Sequence, residues 1–271
     1  MIRLILVLLF AFVHLPGPKE IKWVAIGDSI TYLNDHTDET GDRITTGYMT
    51  LVTKKLPNVH YVNKGFNGWT SGNIAKNIDS LGLQEADVYS VFLGTNDWWQ
   101  GRPVGTIDDF LNKTGDGTIN GSFRIIIDKL RELNARAKII LITPMQRGDF
   151  VYIGDMKNNA YGSYRDKNGQ SLAQVVDAIE KIGQHEKLSV VDLFNDSGIT
   201  LKKMVIYKRL KDPVTGEYKQ YKYPFYTTIP FNPETDEYPY PVDAIDMTYD
   251  GLHPSDKGFK IIASMIEKFI K

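Results

Sequence analysis

Three polar turns, each at the end of a short apolar run, carry groups that could take part in acyl transfer. Ser29 ends the stretch "VAIGDS", Gly68 stands in "NKGFNGWTSG", and Asn96 stands in "FLGTND". Together they offer a hydroxyl nucleophile, an unhindered backbone N–H and a side-chain amide, which are the groups that attack a carbonyl and hold the developing oxyanion. Taken singly, each could equally be a turn residue or a helix cap.

A serine nucleophile needs a base, and one of the five histidines is suitably placed in the sequence. His253 stands in "TYDGLHPSDKG", just before the last predicted helix, with Asp250 three residues upstream. A turn of this length can bring the carboxylate to Nδ1 of the imidazole and leave Nε2 free as a base. Pro254 disfavours helical geometry at His253 and suits the first turn of the helix that follows. The alternative is a capping aspartate beside a surface histidine.

The elements that must position these residues alternate between strand-like and helix-like patterns. Apolar runs typical of strands covered on both faces occur at 21–27, 59–63, 87–94, 137–143 and 188–193. Helical patterns occur at about 46–56, 70–80, 119–135, 170–186 and 255–270. This alternation predicts one α/β domain with a five-stranded parallel sheet and helices on both sides. The carboxyl ends of parallel strands share one edge, so Ser29, Gly68 and Asn96 are expected on one rim.

Composition excludes several classes of function. The 271-residue chain has a formal net charge of -1, so it lacks the basic surplus that a nucleic-acid-binding protein uses against phosphates. It has no cysteine, which excludes disulfides, thiolate metal sites, a cysteine nucleophile and a lipoprotein anchor.

The first residues predict export. An apolar run from Leu4 to Val13 follows a single positive charge and precedes a Pro/Gly break. It is too short to span a bilayer but has the length of a signal-peptide core, so we expect a signal peptide at 1–17 and no stable membrane anchor. The mature domain would be 18–271, periplasmic or extracellular. The alternative is a buried first element of the domain.

A segment rich in Tyr, Pro and Lys, at about 200–247, interrupts the α/β pattern as an insertion. Residues 204–226 within it are expected to form a β-hairpin that turns at Pro213 and Gly216. Two interpretations stay open. The insertion either packs on the body of the domain or forms a lid or wall over the substrate.

The four sequence blocks together resemble the SGNH/GDSL hydrolases, a family named for residues of these blocks. "GDSI" (27–30), with Ile where Leu is usual, resembles the first block, and Gly68 in "NGWTSG" resembles the second. "GTND" (94–97) resembles the third and "DGLHP" (250–254) the last. The blocks occur in the family's order over nearly the whole of the mature chain.

The resemblance implies a flavodoxin-like three-layer α/β/α sandwich and a serine esterase that uses no metal or organic cofactor. By resemblance, Ser29 is the nucleophile, His253 the base and Asp250 the residue that orients the histidine. The backbone N–H groups of Ser29 and Gly68 and the amide of Asn96 would form the oxyanion hole. The neighbouring Asp28 and Asp97 are interpreted as structural.

The expected partner is a small-molecule or glycan ester. Trp69, Trp98 and Trp99 stand next to the presumed site, and aromatic faces suit sugar rings, so a carbohydrate deacetylase is the leading hypothesis. A lipase-like acylhydrolase, a short-chain esterase or thioesterase, and a non-catalytic carbohydrate-binding relative are the alternatives. A metal-dependent hydrolase built on Asp28, Asp97, Asp250 and His253 would be a further one, but no metal-ligand motif supports it.

Overall fold

The computed structural model describes residues 17–271. Residues 1–16, which hold nearly all of the predicted signal peptide, lie outside the described residues, and export stays a prediction. Within 17–271, no helix combines the length and the apolar character needed to cross a membrane.

Five parallel strands form the central sheet. The strands of the described chain are β1 (Ile21–Gly27), β2 (Val59–Gly65), β3 (Val88–Phe92), β4 (Lys138–Ile142), β5 (Phe150–Tyr152), β6 (Asp155–Ala160), β7 (Ser189–Val191), β8 (Lys208–Lys211) and β9 (Tyr218–Tyr221). The sheet has the order β2-β1-β3-β4-β7, while β5 pairs with β6 and β8 with β9 in two antiparallel hairpins. In the sheet register, Trp23 of β1 lies opposite Tyr61 of β2 and Val88 of β3. The predicted five-stranded parallel sheet is confirmed.

Helices cover both faces of this sheet. They are α1 (Ser29–Tyr32), α2 (Tyr48–Lys55), α3 (Ser71–Asn77), α4 (Thr95–Trp99), α5 (Ile107–Leu111), α6 (Ile119–Leu133), α7 (Leu172–Glu186), α8 (Leu193–Asp196) and α9 (Asp256–Ile270). Short 3-10 helices occupy Leu33–Asp35, Thr37–Thr40, Leu201–Lys203, Phe225–Thr228 and Val242–Ala244. Helices α2 and α9 pack on one face, and α3, α6 and α7 on the other, each over its own apolar core. The α/β/α sandwich implied by the resemblance is therefore confirmed.

The long helices begin where the sequence offers caps. The hydroxyls of Thr118, Ser171 and Ser255 each accept a hydrogen bond from the backbone N–H three residues on. Such caps satisfy N–H groups that have no partner inside the helix. In α9 the apolar residues recur every three or four positions, so that residues such as Phe259 and Ile266 are buried against the sheet.

The Tyr/Pro-rich segment at 200–247 packs on the body of the domain. Its hairpin, β8–β9, belongs to a small separate core in which Tyr226 and Tyr240 are buried. Lys208 donates a hydrogen bond of 3.1 Å to the Asp149 carboxylate, and the Tyr240 hydroxyl donates to the Asp149 carbonyl. These two hydrogen bonds tie the Tyr/Pro-rich segment to Asp149, in the loop that follows β4.

Candidate active site

Ser29 stands at the point where β1 gives way to a one-turn helix. Asp28 caps this helix: its carboxylate accepts a hydrogen bond of 3.0 Å from the N–H of Ile30. Its carbonyl accepts a bond of the same length from the N–H of Tyr32. The chain therefore turns sharply at the carboxyl edge of the sheet, and the side chain of Ser29 is left partly exposed there.

The structure brings Ser29, His253 and Asp250 into one hydrogen-bonded chain. Nε2 of His253 lies 2.8 Å from the Ser29 hydroxyl oxygen, and Nδ1 lies 2.7 Å from Oδ2 of Asp250. The other carboxylate oxygen accepts from the N–H of His253 at 2.7 Å and of Leu252 at 3.0 Å. Asp250 is fully buried, and His253 is 6% exposed. This arrangement can fix the imidazole and let Nε2 take a proton from the serine.

The loop that carries Asp250 and His253 is tightly constrained. Gly251 has a φ of +88°, in the left-handed region, and a Cβ there would lie 1.8 Å from the carbonyl oxygen of Asp149, so only glycine fits. Two aromatic rings pack against the imidazole. The Tyr249 ring stacks on it with 5.8 Å between centroids, and the Phe150 ring contacts it edge-on with 5.4 Å between centroids. Such packing leaves the histidine little freedom to rotate.

Gly68 and Asn96 lie in the same cavity as Ser29. Within 17–271, the N–H groups of Ser29 and Gly68 donate to no backbone carbonyl. Gly68 has a φ of +73°, and its carbonyl accepts a hydrogen bond of 2.8 Å from the Gln100 side chain. The Asn96 amide donates to the Trp69 carbonyl at 3.1 Å. These two bonds tie the loop after β2 to α4, so the three donors predicted from sequence are held around one space.

This space is a cavity of about 530 Å³. Besides Ser29 and His253, its wall contains the aromatic rings of Trp99, Phe150, Tyr152 and Tyr249. The side-chain amides of Asn67, Asn96, Gln100 and Asn158 lie in the same wall. Rings together with amides form a surface that can contact the apolar faces of a ligand and bond its hydroxyls.

Only Trp99 of the three predicted tryptophans lines the cavity in the described chain. Trp98 is 1% exposed and belongs to the core beneath α4. The ring of Trp69 stacks on Phe66 with 4.4 Å between centroids, and Trp69 is not among the described residues that line the cavity. The burial of Trp98 contradicts the prediction for that residue, whereas a substrate contact of Trp69 stays a prediction. Successive helical residues point about 100° apart, so on α4 the Trp98 side chain lies in the core while that of Trp99 reaches the cavity.

The wall of the cavity includes a different hairpin from that of the Tyr/Pro-rich segment. No described residue of 200–247 lines the cavity, which favours the packing interpretation of the insertion over the lid or wall interpretation. The β5–β6 hairpin instead contributes Tyr152 and Asn158. Sequence reasoning missed it because β6 is mostly polar and exposed, with no alternation of apolar residues.

Arg147 is another residue of the cavity wall that sequence reasoning missed. It follows β4 in a loop, where an isolated arginine gives no signal of burial. Its 1% exposure results from tertiary contacts alone.

Asp97 and the other acidic residues near the site do not form a metal centre. Asp97 accepts hydrogen bonds from the N–H and hydroxyl of Ser71, the shortest at 2.6 Å, and lies 3.4 Å from Nε of Arg102. Burial raises the pKa of this carboxyl. Within 17–271, no three His, Asp or Glu side chains are grouped to hold a metal ion. Asp28 and Asp97 lie outside the hydrogen-bonded chain of Ser29, His253 and Asp250. The Asp28 carboxylate accepts a hydrogen bond from α1, and the Asp97 carboxylate accepts hydrogen bonds from α3.

Asp28 gives a stability prediction. Burial raises the pKa of its carboxyl from 3.8 to about 6. The folded protein therefore binds this proton more tightly than the unfolded chain does, and the free energy of unfolding falls as pH rises from about 4 to 6. Asn can keep the cap on Ile30 without the buried charge. We expect Asp28→Asn to be more stable relative to wild type at pH 8 than at pH 4, by up to about 3 kcal/mol.

Urea unfolding of both proteins at the two pH values measures this difference. Asp155→Asn, at an exposed aspartate of β6, is the matched control and should show no such pH dependence. An Asp28→Asn effect of equal size at pH 4 and pH 8 would show that the carboxyl carries no burial penalty.

The chain matches a known protein family and several solved structures. The sequence model of the GDSL-like Lipase/Acylhydrolase family matches residues 25–261. No curated protein matches the chain in sequence. Among solved structures, a possible lipase from Chitinophaga pinensis is 63% identical, with 92% of this chain and 97% of that one covered and a TM-score of 0.91.

More distant structures share the fold. An acetyl xylan esterase is 20% identical, with 92% of this chain and 98% of that one covered and a TM-score of 0.54. A variant of an acetyl-xylooligosaccharide esterase from Geobacillus is 19% identical, with 93% and 94% covered and a TM-score of 0.52. The family match spans most of the chain. This protein therefore belongs to the GDSL-like lipase/acylhydrolase family, as the sequence blocks predicted, and is a hydrolase that acts on ester bonds.

Proposed function

We propose that the protein is a serine esterase that works through an acyl-enzyme and removes acetyl groups from a carbohydrate. The observation that carries the proposal is the hydrogen-bonded chain from Ser29 through His253 to Asp250, at the edge of a cavity that also holds Gly68 and Asn96.

In the first step His253 takes the hydroxyl proton as the oxygen of Ser29 attacks the ester carbonyl. The negative charge on the carbonyl oxygen is met by the N–H groups of Ser29 and Gly68 and by the Asn96 amide, none of which has to reorient far. The tetrahedral intermediate collapses, and the alcohol leaves with the proton that His253 returns to it. Asp250 stays unprotonated and stabilises the imidazolium.

In the second step water repeats the sequence on the acyl-enzyme. His253 takes a proton from water as the water oxygen attacks the acyl carbonyl, and the charge on the carbonyl oxygen is met by the same donors. The intermediate collapses, His253 returns the proton to the Ser29 oxygen, and the acid is released. Each proton that His253 accepts is thus passed on to the oxygen that leaves.

Two features of the cavity support a sugar ester over a long-chain lipid. The first is the pairing of rings with amide groups in the wall, since a sugar has apolar ring faces and outward hydroxyls. The second is the volume of about 530 Å³, which suits a short acyl group beside a sugar unit. The two distant acetyl-esterase structures share the fold with this chain, and the proposal rests on the cavity itself.

The test is a comparison of acyl chains and alcohols. We expect kcat/KM to be highest for acetate among 4-nitrophenyl acetate, butyrate, octanoate and palmitate, and we expect acetate release from acetylated xylo-oligosaccharides. Ser29→Ala is the control for non-enzymatic hydrolysis, and EDTA should leave the rates unchanged. A preference for octanoate or palmitate would favour the lipase-like alternative. Binding of the oligosaccharide without turnover of any ester would favour a non-catalytic relative.

A further inference from the structure

The backbone N–H of Gly68, one of the three predicted oxyanion donors, lies in a tight turn. Residues 66–69 form this turn, and the N–H of Trp69 closes it with a hydrogen bond of 3.2 Å to the carbonyl of Phe66. Gly68 is the third residue and has a φ of +73°, whereas the φ of Asn67 is negative, which is the pattern of a type II turn. The N–H of Gly68 therefore belongs to the central peptide, whose direction is set by the conformation of Asn67 and Gly68.

Packing does little to hold the centre of this turn. Asn67 and Gly68 are both exposed, and a Cβ on Gly68 would have no described atom within 4 Å apart from those of its chain neighbours. Glycine adopts positive and negative φ with similar ease, so the residue type alone does not fix the peptide. An oxyanion donor has to be held in place to within a fraction of an ångström, and hydrogen bonds from a rigid neighbour can provide this.

Two side chains of the α4 region bond successive carbonyls of the turn. Asn96 donates to the carbonyl of Trp69 at 3.1 Å, and Gln100, the residue after α4, donates to the carbonyl of Gly68 at 2.8 Å. The two residues are four positions apart, which places them on the same side of the helix. The backbone N–H of Gln100 also donates 2.8 Å to the carbonyl of Asn96. Gln100 thus connects two oxyanion donors, because its backbone bonds Asn96 and its side chain bonds Gly68.

We propose that Gln100 is a positioning residue of the oxyanion hole, which holds the N–H of Gly68 in register with the amide of Asn96. Without the Gln100 side chain, the N–H of Gly68 would remain, but the carbonyl of the same residue would lose its bond to the α4 region. The donor would then be less well aimed at the charge that develops on the ester carbonyl oxygen. Such a loss acts on the transition state more than on the bound ester. This inference rests on the proposed esterase function and adds a residue to it.

Steady-state kinetics with 4-nitrophenyl acetate test the proposal. Gln100→Met keeps the length of the side chain and removes its donor, so we expect kcat to fall about three- to tenfold and KM to stay within about twofold. Gln100→Ala removes the same donor without the bulk and should show the same loss. Gln220→Met is the matched control, because Gln220 is exposed on β9 and is not among the described residues that line the cavity. It should keep the wild-type kcat.

A transition-state analogue examines the oxyanion hole itself. The Ser29 oxygen adds to the carbonyl of trifluoroacetophenone while His253 takes the hydroxyl proton, and the ketone oxygen becomes an oxyanion that the same donors hold. The inhibition constant of this ketone should rise in Gln100→Met by the factor by which kcat falls. In protein labelled with ¹⁵N-glycine, the Gly68 amide peak is identified by its absence from Gly68→Ala. The ketone should move this peak downfield in wild type and move it less in Gln100→Met.

A wild-type kcat in both Gln100 variants would overturn the proposal. A higher KM at an unchanged kcat would also overturn it, because Gln100 would then contact the substrate instead of the turn. A loss in Gln100→Met but not in Gln100→Ala would have the same consequence, since the bulk of methionine would explain it. A lower kcat with an unchanged inhibition constant for the ketone would place the defect outside the oxyanion hole. The esterase proposal fails separately, if hydrolysis and ketone inhibition persist in Ser29→Ala.

Discussion

Ser29→Ala is expected to lower kcat/KM for 4-nitrophenyl acetate by about 10⁴-fold or more, because the attacking oxygen is removed while the rest of the site stays in place. The Ser29 hydroxyl is hydrogen-bonded to His253, and Ser29 is the first residue of a one-turn helix. Its removal therefore takes away this hydrogen bond and leaves the packing of the core intact. The residual rate would come from substrate binding and the oxyanion hole alone.

The rate is measured beside a matched control. Ser80→Ala removes an exposed hydroxyl that bonds only the Asn77 carbonyl, and it should keep wild-type activity. Circular dichroism and thermal unfolding check that both variants are folded. A folded Ser29→Ala protein that hydrolyses the ester at a wild-type rate would remove Ser29 from the mechanism.

Asn96→Ala is expected to lower kcat by about 10²–10³-fold with little change in KM, since an oxyanion donor acts on the transition state more than on the bound ester. Asn96→Asp should be slower still, because it places a negative charge beside the developing oxyanion. Asn195→Ala is the control and should have no effect, because Asn195 is exposed, bonds Asp192 and is not among the described residues that line the cavity. A rise in KM alone would identify Asn96 as a substrate contact.

The central sheet and the turns that carry Ser29 and His253 could be predicted from sequence because their signals are local. The five strands are apolar runs, and the Ser29 and His253 turns come with residues that restrict them: Asp28 caps α1, and Pro254 follows the histidine. The observed strands β1, β2 and β3 begin within one residue of the predicted ones. At these two turns, the residues next to Ser29 and His253 in the sequence therefore predict the local backbone geometry.

The wall of the cavity could not be predicted, because its residues have no local pattern. Trp98 and Trp99 are adjacent and identical in type, but Trp98 is buried in the core and Trp99 lines the cavity. This difference follows from the orientation of α4, which the residue types do not predict. Arg147 packs against Phe150, three residues on, and against Trp98 and Trp99 of α4, which the fold brings to it from about 50 residues earlier in the chain. The polar β5–β6 hairpin is stabilised by tertiary contact, which its sequence does not show.

The most direct test of the account is covalent trapping of the nucleophile. The wild-type protein is treated with diisopropyl fluorophosphate, its intact mass is followed together with its activity, and the modified peptide is sequenced by mass spectrometry. We predict one adduct per chain, on Ser29, formed in proportion to the loss of esterase activity and absent from Ser29→Ala. Full loss of activity with Ser29 unmodified, or full activity with Ser29 modified, would contradict the assignment of Ser29 as the nucleophile.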